Sequence, residues 1–460
     1  MTENRENELI EKIINIELLN GLNELYVEDI PLWHIIRYRM RGYYFLRNGI
    51  NDISSGSRSK FKLENIRYFF ISFFQFIRLF FIKVNPKVCF FGFTRLESVN
   101  GFYIDKFIDP IISEIQIKES DFLYFNNQYR EHSIPRNNEH GIIYTDFINL
   151  FSLLVGVFVL PYLYMRNRLV YMKVIKVTQK YISDSNKIIL YLLLKSSTIF
   201  VQKKIYAIIF KKLNIRSIVG VSRVTFIPQS LAAKQLKIKV IEIQHGITQG
   251  LTNLYSGYNN LVVDPDFFCT FGNFCPSTVF GIDQSKVINV GWAFKDYIKR
   301  SSQSIQKSDA VLVISEPEIS EKLLNFIVAL SRKFPDVYFH IRRHPQELFN
   351  ALQLKILKEN SHIIDVSSKQ CSQIAILPYN FVIGENSSVL YESLSLGKKV
   401  GRINCNGLNA IGYDATNSDG FYYINDIEDF SHFMDAAVIN TGKLQIYSDF
   451  NSNLFNSLIS

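Results

Sequence analysis

The sequence predicts an α/β protein with two successive parallel β-sheets. From about residue 86 onward, short apolar runs alternate with helical patterns, which is typical of strand–helix–strand units. Polar residues directly follow each apolar run, and a polar stretch at residues 299–304 separates two groups of such runs. The chain therefore divides into two sheet domains joined by a linker.

The 460-residue chain is both basic and aromatic. It has 51 Lys+Arg against 42 Asp+Glu, a formal net charge of +9, and it contains 38 Phe and 25 Tyr. Hydrophobic residues make up 47% of the chain, which excludes a disordered protein. Five scattered cysteines exclude a disulfide-rich secreted scaffold and favour a reducing compartment. The polar opening of the chain lacks signal-peptide features, so we expect a cytoplasmic protein.

Residues 1–85 are predicted to be helical and to contact a membrane surface. Between Arg67 and Lys83, large apolar residues recur at helical spacing and share one face. They are Phe69, Phe70, Phe73, Phe74, Ile77, Phe80 and Phe81. An aromatic face beside basic residues suits a helix that lies on anionic lipid. The alternative is a helix buried against the first sheet domain.

A helical insertion is predicted at about residues 145–212, inside the first domain. Its segment 147–165 is the longest uncharged stretch, at 19 residues, close to the roughly 20 that span a bilayer. Pro161 and several polar residues interrupt it, and basic residues follow without an acid. These are Arg166, Arg168, Lys173, Lys176 and Lys180. We expect a shallowly inserted helix; a buried core helix and a true span are the alternatives.

The first sheet domain is predicted at residues 86–298. Ligands of parallel sheets bind at the carboxyl ends of the strands, so the polar residues there are candidates for a substrate cleft. The loop after the first strand holds Glu97 and Asp105. Later strand ends hold Ser222 and Arg223, then Gln244, His245 and Gly246. We predict an acceptor site here, with His245 as a possible base or, alternatively, a satisfied core histidine.

The second sheet domain is predicted at residues 299–440, with a tail at 441–460 that packs back on the first domain. Its strands end in Ser315–Glu316, in Arg343–His344–Pro345 and in Ser387–Ser388. Two serines at a helix N-terminus can bind an anion, although serine is also a common helix cap. Glu392 lies one turn further, where it could accept sugar hydroxyls. His344 could neutralise a phosphate or simply cap the loop.

The order of these motifs resembles bacterial cell-surface polysaccharide glycosyltransferases of the GT-B fold. The likeness rests on QHG at 244–246, HP at 344–345, and SS at 387–388 with the following ES and GKKV. This family includes capsular Kdo transferases and bacterial sialyl- and polysialyltransferases. CDP-glycerol-type teichoic acid polymerases have a similar C-terminal half. The resemblance implies two Rossmann-like domains that face a cleft, with extra N-terminal and inserted amphipathic helices. It assigns nucleotide and phosphate binding to His344, Pro345, Ser387 and Ser388, and ribose binding to Glu392.

One departure from that family concerns the general base. The sialyltransferases supply it from an acidic (D/E)(D/E)G motif in the first half, and this sequence has no such triplet there. Glu97 and Asp105, around Gly101, are the nearest substitutes, with His245 as the runner-up.

The resemblance implies a metal-independent, inverting glycosyltransferase without a cofactor. Its donor would be a CMP-sugar and its acceptor a lipid-linked O-antigen or capsule oligosaccharide, at the inner face of the cytoplasmic membrane. No GxGxxG motif follows the first strand, and Asp264–Pro265–Asp266 reads as a turn and not as a metal motif. Two alternatives stay open: a polyol-phosphate transferase with a CDP-activated donor, and a basic nucleic-acid-binding protein. The second lacks a recognisable RNA or DNA module.

Overall fold

A computed structural model gives the three-dimensional structure of the chain. It describes residues 2–47, 64–81, 85–93, 96–126, 136, 141–182, 185–246, 256–257, 261–273, 281–301, 306–317, 319–345, 347–368, 370–385, 387–404, 420–436 and 446–460. Lys83, Cys275, Cys405 and part of the predicted linker lie outside the described residues.

The N-terminal segment is mainly helical. It consists of α1 (Thr2–Leu19), a ribbon of β1 (Tyr26–Val27) and β2 (Ile30–Pro31), α2 (Leu32–Arg47) and α3 (Glu64–Leu79). A buried ion pair joins the first two helices, with 2.8 Å between Arg37 Nη2 and Glu17 Oε2. Trp33 Nε1 donates to the same carboxylate at 3.0 Å. These bonds satisfy charges that burial would otherwise penalise.

The first domain contains a seven-stranded sheet. Its strands, with the hairpin β4–β5, are β3 (Val88–Phe91), β4 (Glu97–Val99), β5 (Phe102–Ile104), β6 (Phe122–Asn126), β7 (Ile142–Tyr144), β8 (Ser217–Val221), β9 (Lys239–Ile243), β10 (Phe267–Thr270) and β11 (Val287–Asn289). The sheet order is β11-β10-β9-β8-β3-β6-β7 and every pairing in it is parallel. The first strand is central and the chain leaves it in both directions, which is the Rossmann order.

Six helices of this domain lie in the described ranges. They are α4 (Ile108–Ile115), α5 (Asp146–Arg166), α6 (Arg168–Tyr181), α7 (Ser185–Lys212), α8 (Ile227–Gln235) and α9 (Ala293–Ser301). The predicted insertion is the run α5 to α7, between β7 and β8. Among the described residues, only α5 is long and apolar enough to cross a membrane, and 22% of its apolar window is buried. Most of this window is therefore exposed in the described structure.

Helix α3 covers the outer edge of the first sheet. Gln75 Nε2 donates to the Ile142 carbonyl and Gln75 Oε1 accepts from the Tyr144 N–H, both at 2.9 Å. The amide thus pairs with edge strand β7 as another strand would, which protects that edge. Only part of the predicted aromatic face is packed against the protein: Phe69 and Phe73 contact Phe147 of α5. Other members are exposed: Phe70, Phe74, Ile77 and Phe81.

The second domain contains a six-stranded parallel sheet. Its strands are β12 (Ser308–Ile314), β13 (Phe339–Arg342), β14 (Ile363–Asp365), β15 (Tyr379–Gly384), β16 (Lys399–Ile403) and β17 (Tyr422–Ile424). Its helices are α10 (Ser320–Lys333), α11 (Ala351–Glu359), α12 (Ser372–Ile376), α13 (Ser388–Ser395) and α14 (Ile427–Asp435). The order β14-β13-β12-β15-β16-β17 is again the Rossmann order. The predicted α/β fold with two Rossmann-like domains is confirmed.

The C-terminal segment returns to the first domain. Trp292 N–H donates to the Ser448 carbonyl and Asn451 N–H donates to the Val290 carbonyl. The last helix, α15 (Ser452–Ile459), packs against α4 and β9. Its end is held by the Ser217 hydroxyl, which donates to the Ile459 carbonyl at 2.7 Å. The chain therefore crosses between the two sheet domains twice.

Candidate functional site

The strand order of the second sheet reverses between the neighbours β12 and β15. In open α/β sheets, ligands bind outside the carboxyl ends of the strands at this reversal. Ser315 and Glu316 follow β12, while Ser387 and Ser388 follow β15. The fold thus brings these two pairs of predicted site residues, some 70 residues apart in the chain, to one crevice.

A cavity of about 880 Å³ opens at this crevice and is lined by both domains. Its size suits a small organic ligand. The predicted site residues that line it are Glu97, Glu316, Arg343, His344, Pro345, Ser387, Ser388 and Glu392. Ser315 is buried behind them. The other predicted residues are not among those that line the cavity: Asp105, Ser222, Arg223, Gln244, His245 and Gly246.

The N-terminus of α13 forms one wall of the cavity. Ser387 is the N-cap: its backbone is extended, and its Oγ accepts from the Val389 N–H at 3.4 Å. Ser388, the first helical residue, is exposed. The positive end of the helix dipole and the serine hydroxyls favour an anion here. The cap and the anion-binding interpretations of these serines are therefore compatible.

The loop after β13 is held by Glu347, which sequence reasoning missed. One oxygen of its buried carboxylate accepts from the Ser315 hydroxyl at 2.7 Å, and the other accepts from the His344 N–H at 3.0 Å. The Glu347 N–H donates back to the His344 carbonyl at 2.8 Å. A glutamate three residues after the residue it bonds has the spacing of a helix capping box, so the HPxE pattern carried a signal. The bonds fix His344 at the cavity wall.

Glu392 lies on the inner side of α13 and is buried. Its Oε2 accepts from Gln373 Nε2 at 2.7 Å. Because an ionised carboxylate only accepts hydrogen bonds, this contact fixes which way the Gln373 amide points. Gln373 Oε1 is consequently left buried without a hydrogen-bond partner. Both side chains line the cavity.

Two arginines at the end of β13 add positive charge. Arg343 pairs with Asp365 at 2.9 Å and lies over the Phe349 ring. Arg342 donates to the Gln370 carbonyl, and burial lowers its pKa. Both line the cavity, so they can stabilise an anionic ligand there.

The first domain reaches the cavity through its β4–β5 hairpin. Glu97, Tyr103 and Lys106 line the cavity opposite the second domain, and Glu97 Oε1 lies 3.7 Å from Lys106 Nζ. The Cys371 N–H donates to the Ser98 carbonyl at 2.9 Å across the domain boundary. The hairpin therefore presents a carboxylate to the cavity from the domain expected to hold the acceptor.

Asp105 is placed differently from the prediction. Its carboxylate is fully buried and accepts from the N–H groups of Phe93, Phe107 and Ile108 and from the Tyr124 hydroxyl. Burial raises its pKa. With all these donors satisfied inside the protein, Asp105 fixes the start of α4. This burial corrects the prediction that Asp105 could serve as the general base. Glu97 is the remaining acidic candidate for that role.

The QHG loop follows β9 at the carboxyl edge of the first sheet. The half-buried His245 ring packs against both Phe93 and Phe107, with centroids at 4.6 and 5.7 Å. Gln244 is buried, donates to the Gly246 carbonyl at 2.7 Å and accepts from the Phe271 N–H at 3.0 Å. Gln244 thus shapes the loop, which corrects its prediction as an acceptor contact.

Arg223 and Ser222 are also interior residues. Arg223 is fully buried, with its guanidinium paired to Glu242 at 2.9 Å and to Asp264 at 2.7 Å. Its prediction as a cleft residue is corrected, because its charge is neutralised within the domain. Ser222 is buried and has a positive φ of 58°. It turns the chain after β8.

No group of three or more His, Cys, Asp and Glu side chains in the described ranges could hold a metal ion. Three cysteines there are buried free thiols: Cys89, Cys269 and Cys371.

Comparisons with known proteins give similarity only at the level of solved structures. A scan against protein-family models and a search of curated proteins find no match. UDP-GlcNAc 2-epimerase from Methanocaldococcus jannaschii is 11% identical, with a TM-score of 0.44, over 79% of this chain and 93% of its own. The Neisseria meningitidis UDP-GlcNAc 2-epimerase is 15% identical, with a TM-score of 0.42, over 68% and 81%.

The wall teichoic acid polymerase TagF is 11% identical, with a TM-score of 0.45, over 87% of this chain and 98% of its own.

Proposed function

We propose that this protein is a metal-independent glycosyltransferase that uses a CMP-sugar, such as CMP-activated Kdo or a sialic-acid-like sugar. The observation that carries the proposal is the cavity between the domains. There His344, Ser387 and Ser388 from two strand ends face Glu97 from the other domain. A phosphate-binding wall opposite a carboxylate is the arrangement that sugar transfer from a nucleotide requires.

The second domain holds the donor. The α13 N-terminus and the two serine hydroxyls bind the phosphate, and His344 donates to the oxygen that leaves with it. Glu392 accepts ribose hydroxyls from the inner side of the helix. Arg342 and Arg343 spread positive charge over the same wall. The preference for CMP rests on the resemblance of the HP and SS motifs.

The first domain supplies the base. Glu97 takes the proton from an acceptor hydroxyl, whose oxygen forms a bond to the anomeric carbon of the sugar. The bond from that carbon to the phosphate oxygen breaks on the opposite side, and CMP leaves with the bonding electrons. Attack opposite the leaving group inverts the anomeric configuration. His245 remains the second candidate for the base, because it lies at the same edge of the first sheet.

The acceptor is a lipid-linked O-antigen or capsule oligosaccharide. The protein works in the cytoplasm, attached to the inner face of the cytoplasmic membrane, where a lipid-linked acceptor is accessible. Exposed apolar side chains on α3 and α5 support this location.

The test is transfer from CMP-sugars to a lipid-linked oligosaccharide, with the product analysed by mass spectrometry and phosphorus NMR. We expect a new glycosidic bond and free CMP. His344→Ala and Ser388→Ala should abolish most turnover, while His432→Ala and Ser395→Ala, away from the cavity, should not. A new phosphodiester from a CDP-activated polyol would instead identify a polyol-phosphate transferase. Tight nucleic-acid binding at physiological salt without any transfer would overturn both.

A further inference from the structure

Helices α3 and α5 lie side by side and expose a large apolar face. The two helices are joined by Phe69, Phe73 and Phe76 of α3, whose rings pack on Phe147 at 5.7, 5.0 and 5.2 Å. The opposite faces of both helices are exposed. The exposed apolar residues are Ile66, Phe70, Phe74 and Ile77 on α3, Phe81 in the turn after it, and Leu150, Phe151, Leu153, Leu154, Val157, Phe158, Tyr162 and Met165 on α5. A patch of this extent on a protein surface marks an interaction site.

The buried side of α5 includes small residues where the helix crosses α7. A Cβ on Gly156 would lie 3.1 Å from the Thr198 backbone nitrogen of α7 and 3.2 Å from the Ser197 carbonyl carbon. Ser152, one turn before Gly156, is also buried. Small residues four apart let two helices approach closely, as in membrane proteins. Because the contact strip is narrow, most of the apolar surface of α5 faces outward.

Exposed basic residues occur on α6, the helix that follows α5. Lys173, Lys176 and Lys180 of α6 are all exposed, and their spacing of three and four residues puts them on one helical face. No acidic residue occurs between Asp146 and Asp184. The exposed lysines of α6 thus carry positive charge that complements an anionic lipid headgroup layer.

The fold also determines how α5 can meet a bilayer. Strand β7 precedes α5 and β8 follows α7, and both strands belong to the same seven-stranded sheet. The chain on either side of the insertion is therefore on one side of any membrane. A single crossing by α5 would place the two flanks on opposite sides, so the true-span alternative does not fit this topology.

We propose that the face formed by α3 and α5 docks on an anionic lipid bilayer, with α5 lying in the plane of the interface and the α6 lysines on the headgroups. Phe74, Phe81 and Phe158, which are 66%, 76% and 83% exposed, enter the acyl boundary. The proposal rests on the membrane location given above and names the surface responsible. It holds the first domain, which provides Glu97, next to a lipid-linked acceptor.

The test is co-sedimentation of the full chain with phosphatidylcholine vesicles that contain or lack phosphatidylglycerol. We expect binding to the anionic vesicles that weakens with salt. Phe74→Ser with Phe81→Ser should weaken it about tenfold or more. Lys173→Glu, Lys176→Glu and Lys180→Glu together should weaken it roughly a hundredfold.

Matched controls on the second domain should bind as the unmodified chain does. They are Leu352→Ser with Leu354→Ser, and the exposed triple set Arg332→Glu, Lys333→Glu and Lys358→Glu. Each variant is also tested for a thermal shift with CMP, which reports the donor site separately. Loss of vesicle binding with an intact CMP shift in the α3 and α6 variants supports the docking surface.

Three results overturn the docking proposal: no binding to anionic vesicles, equal binding by all variants, or self-association of the chain that the phenylalanine variants abolish. The last would make this face a contact between two copies. A missing CMP shift with intact vesicle binding would overturn the proposed donor site alone.

Discussion

The hydroxyl of Ser315 donates a hydrogen bond of 2.7 Å to the carboxylate of Glu347, although the two residues follow different strands of the second sheet. The same carboxylate accepts from the His344 N–H. One buried side chain thus sets the position of the loop after β12 relative to the loop after β13. In the proposed donor site, this relation holds His344 in position for a phosphate at the α13 N-terminus.

Replacing Glu347 tests that relation. Glu347→Ala removes the acceptor of two donors, and each donor left buried without a partner costs about 1–3 kcal/mol. We expect a lower melting temperature and a CMP affinity reduced about tenfold or more. Glu359→Ala, on the exposed side of α11, is the control. A normal CMP affinity in Glu347→Ala, measured by calorimetry, would show that the bonds do not position the donor site.

Glu97 and Asp105 should respond differently to removal of their charge. Glu97→Gln keeps the shape of the cavity but removes the base, so turnover should fall about 10²–10⁴-fold while CMP still binds. Asp105→Asn places amide hydrogens against buried donors, so it should lower the melting temperature. Steady-state kinetics and thermal melts on both variants distinguish the roles. Full turnover in Glu97→Gln would move the base to another group, with His245 tested next.

Much of the cavity lining could be predicted because it depends on local sequence. Parallel strands end at one edge of a sheet, so the polar residues after successive apolar runs must gather there. His344, Ser387 and Ser388 follow this rule. The bond of Glu347 to His344 had a local signal in the HPxE spacing, but its bond to Ser315 joins residues 32 apart in the chain and leaves none.

In the first domain, the position of a polar residue after a strand does not predict whether it faces a cleft. Arg223 also follows a strand, but it turns inward to Glu242 and Asp264, 19 and 41 residues away. Such long-range pairing leaves no local pattern in the sequence. The choice between Glu97 and Asp105 depends on the hairpin between them, whose packing on the second domain the sequence does not reveal.

The crossing of α5 and α7 gives a stability prediction. A side chain at position 156 meets the backbone of α7 at 3.1 Å, and backbone cannot move aside as a flexible side chain can. Gly156→Val should therefore destabilise the protein by about 1–3 kcal/mol. Ser152→Ala, at the same crossing, removes a buried hydroxyl without a hydrogen-bond partner and should be neutral or stabilising. Denaturant unfolding of both variants measures these free energies. A Gly156→Val protein more stable than the Ser152→Ala protein would contradict the close packing of α5 on α7.

Asp109 makes stability depend on pH. Burial raises its pKa from 3.8 to about 7, with Asp105 adding to the rise and Arg136 opposing it. Between these two values the folded protein keeps a proton that the unfolded chain has released. The resulting stabilisation is present at low pH and is lost as the pH rises to about 7.

Asp109→Asn should flatten this part of the melting-temperature profile, and the exposed Asp336→Asn should leave it unchanged. Thermal melts across the acidic range measure the effect. An unchanged slope in Asp109→Asn would mean that Asp109 titrates normally in the folded protein.

The most direct measurement of the central claim is the thermal shift of the full chain with CMP, CDP, UDP and GDP. A CMP-sugar transferase with its donor site at the α13 N-terminus should be stabilised most by CMP, and Ser388→Ala and His344→Ala should lose that shift while melting normally without nucleotide. Ser395→Ala, at the other end of α13, should keep it. Stabilisation by UDP or GDP in place of CMP would contradict the proposed donor, and a CMP shift unchanged in both variants would contradict the site.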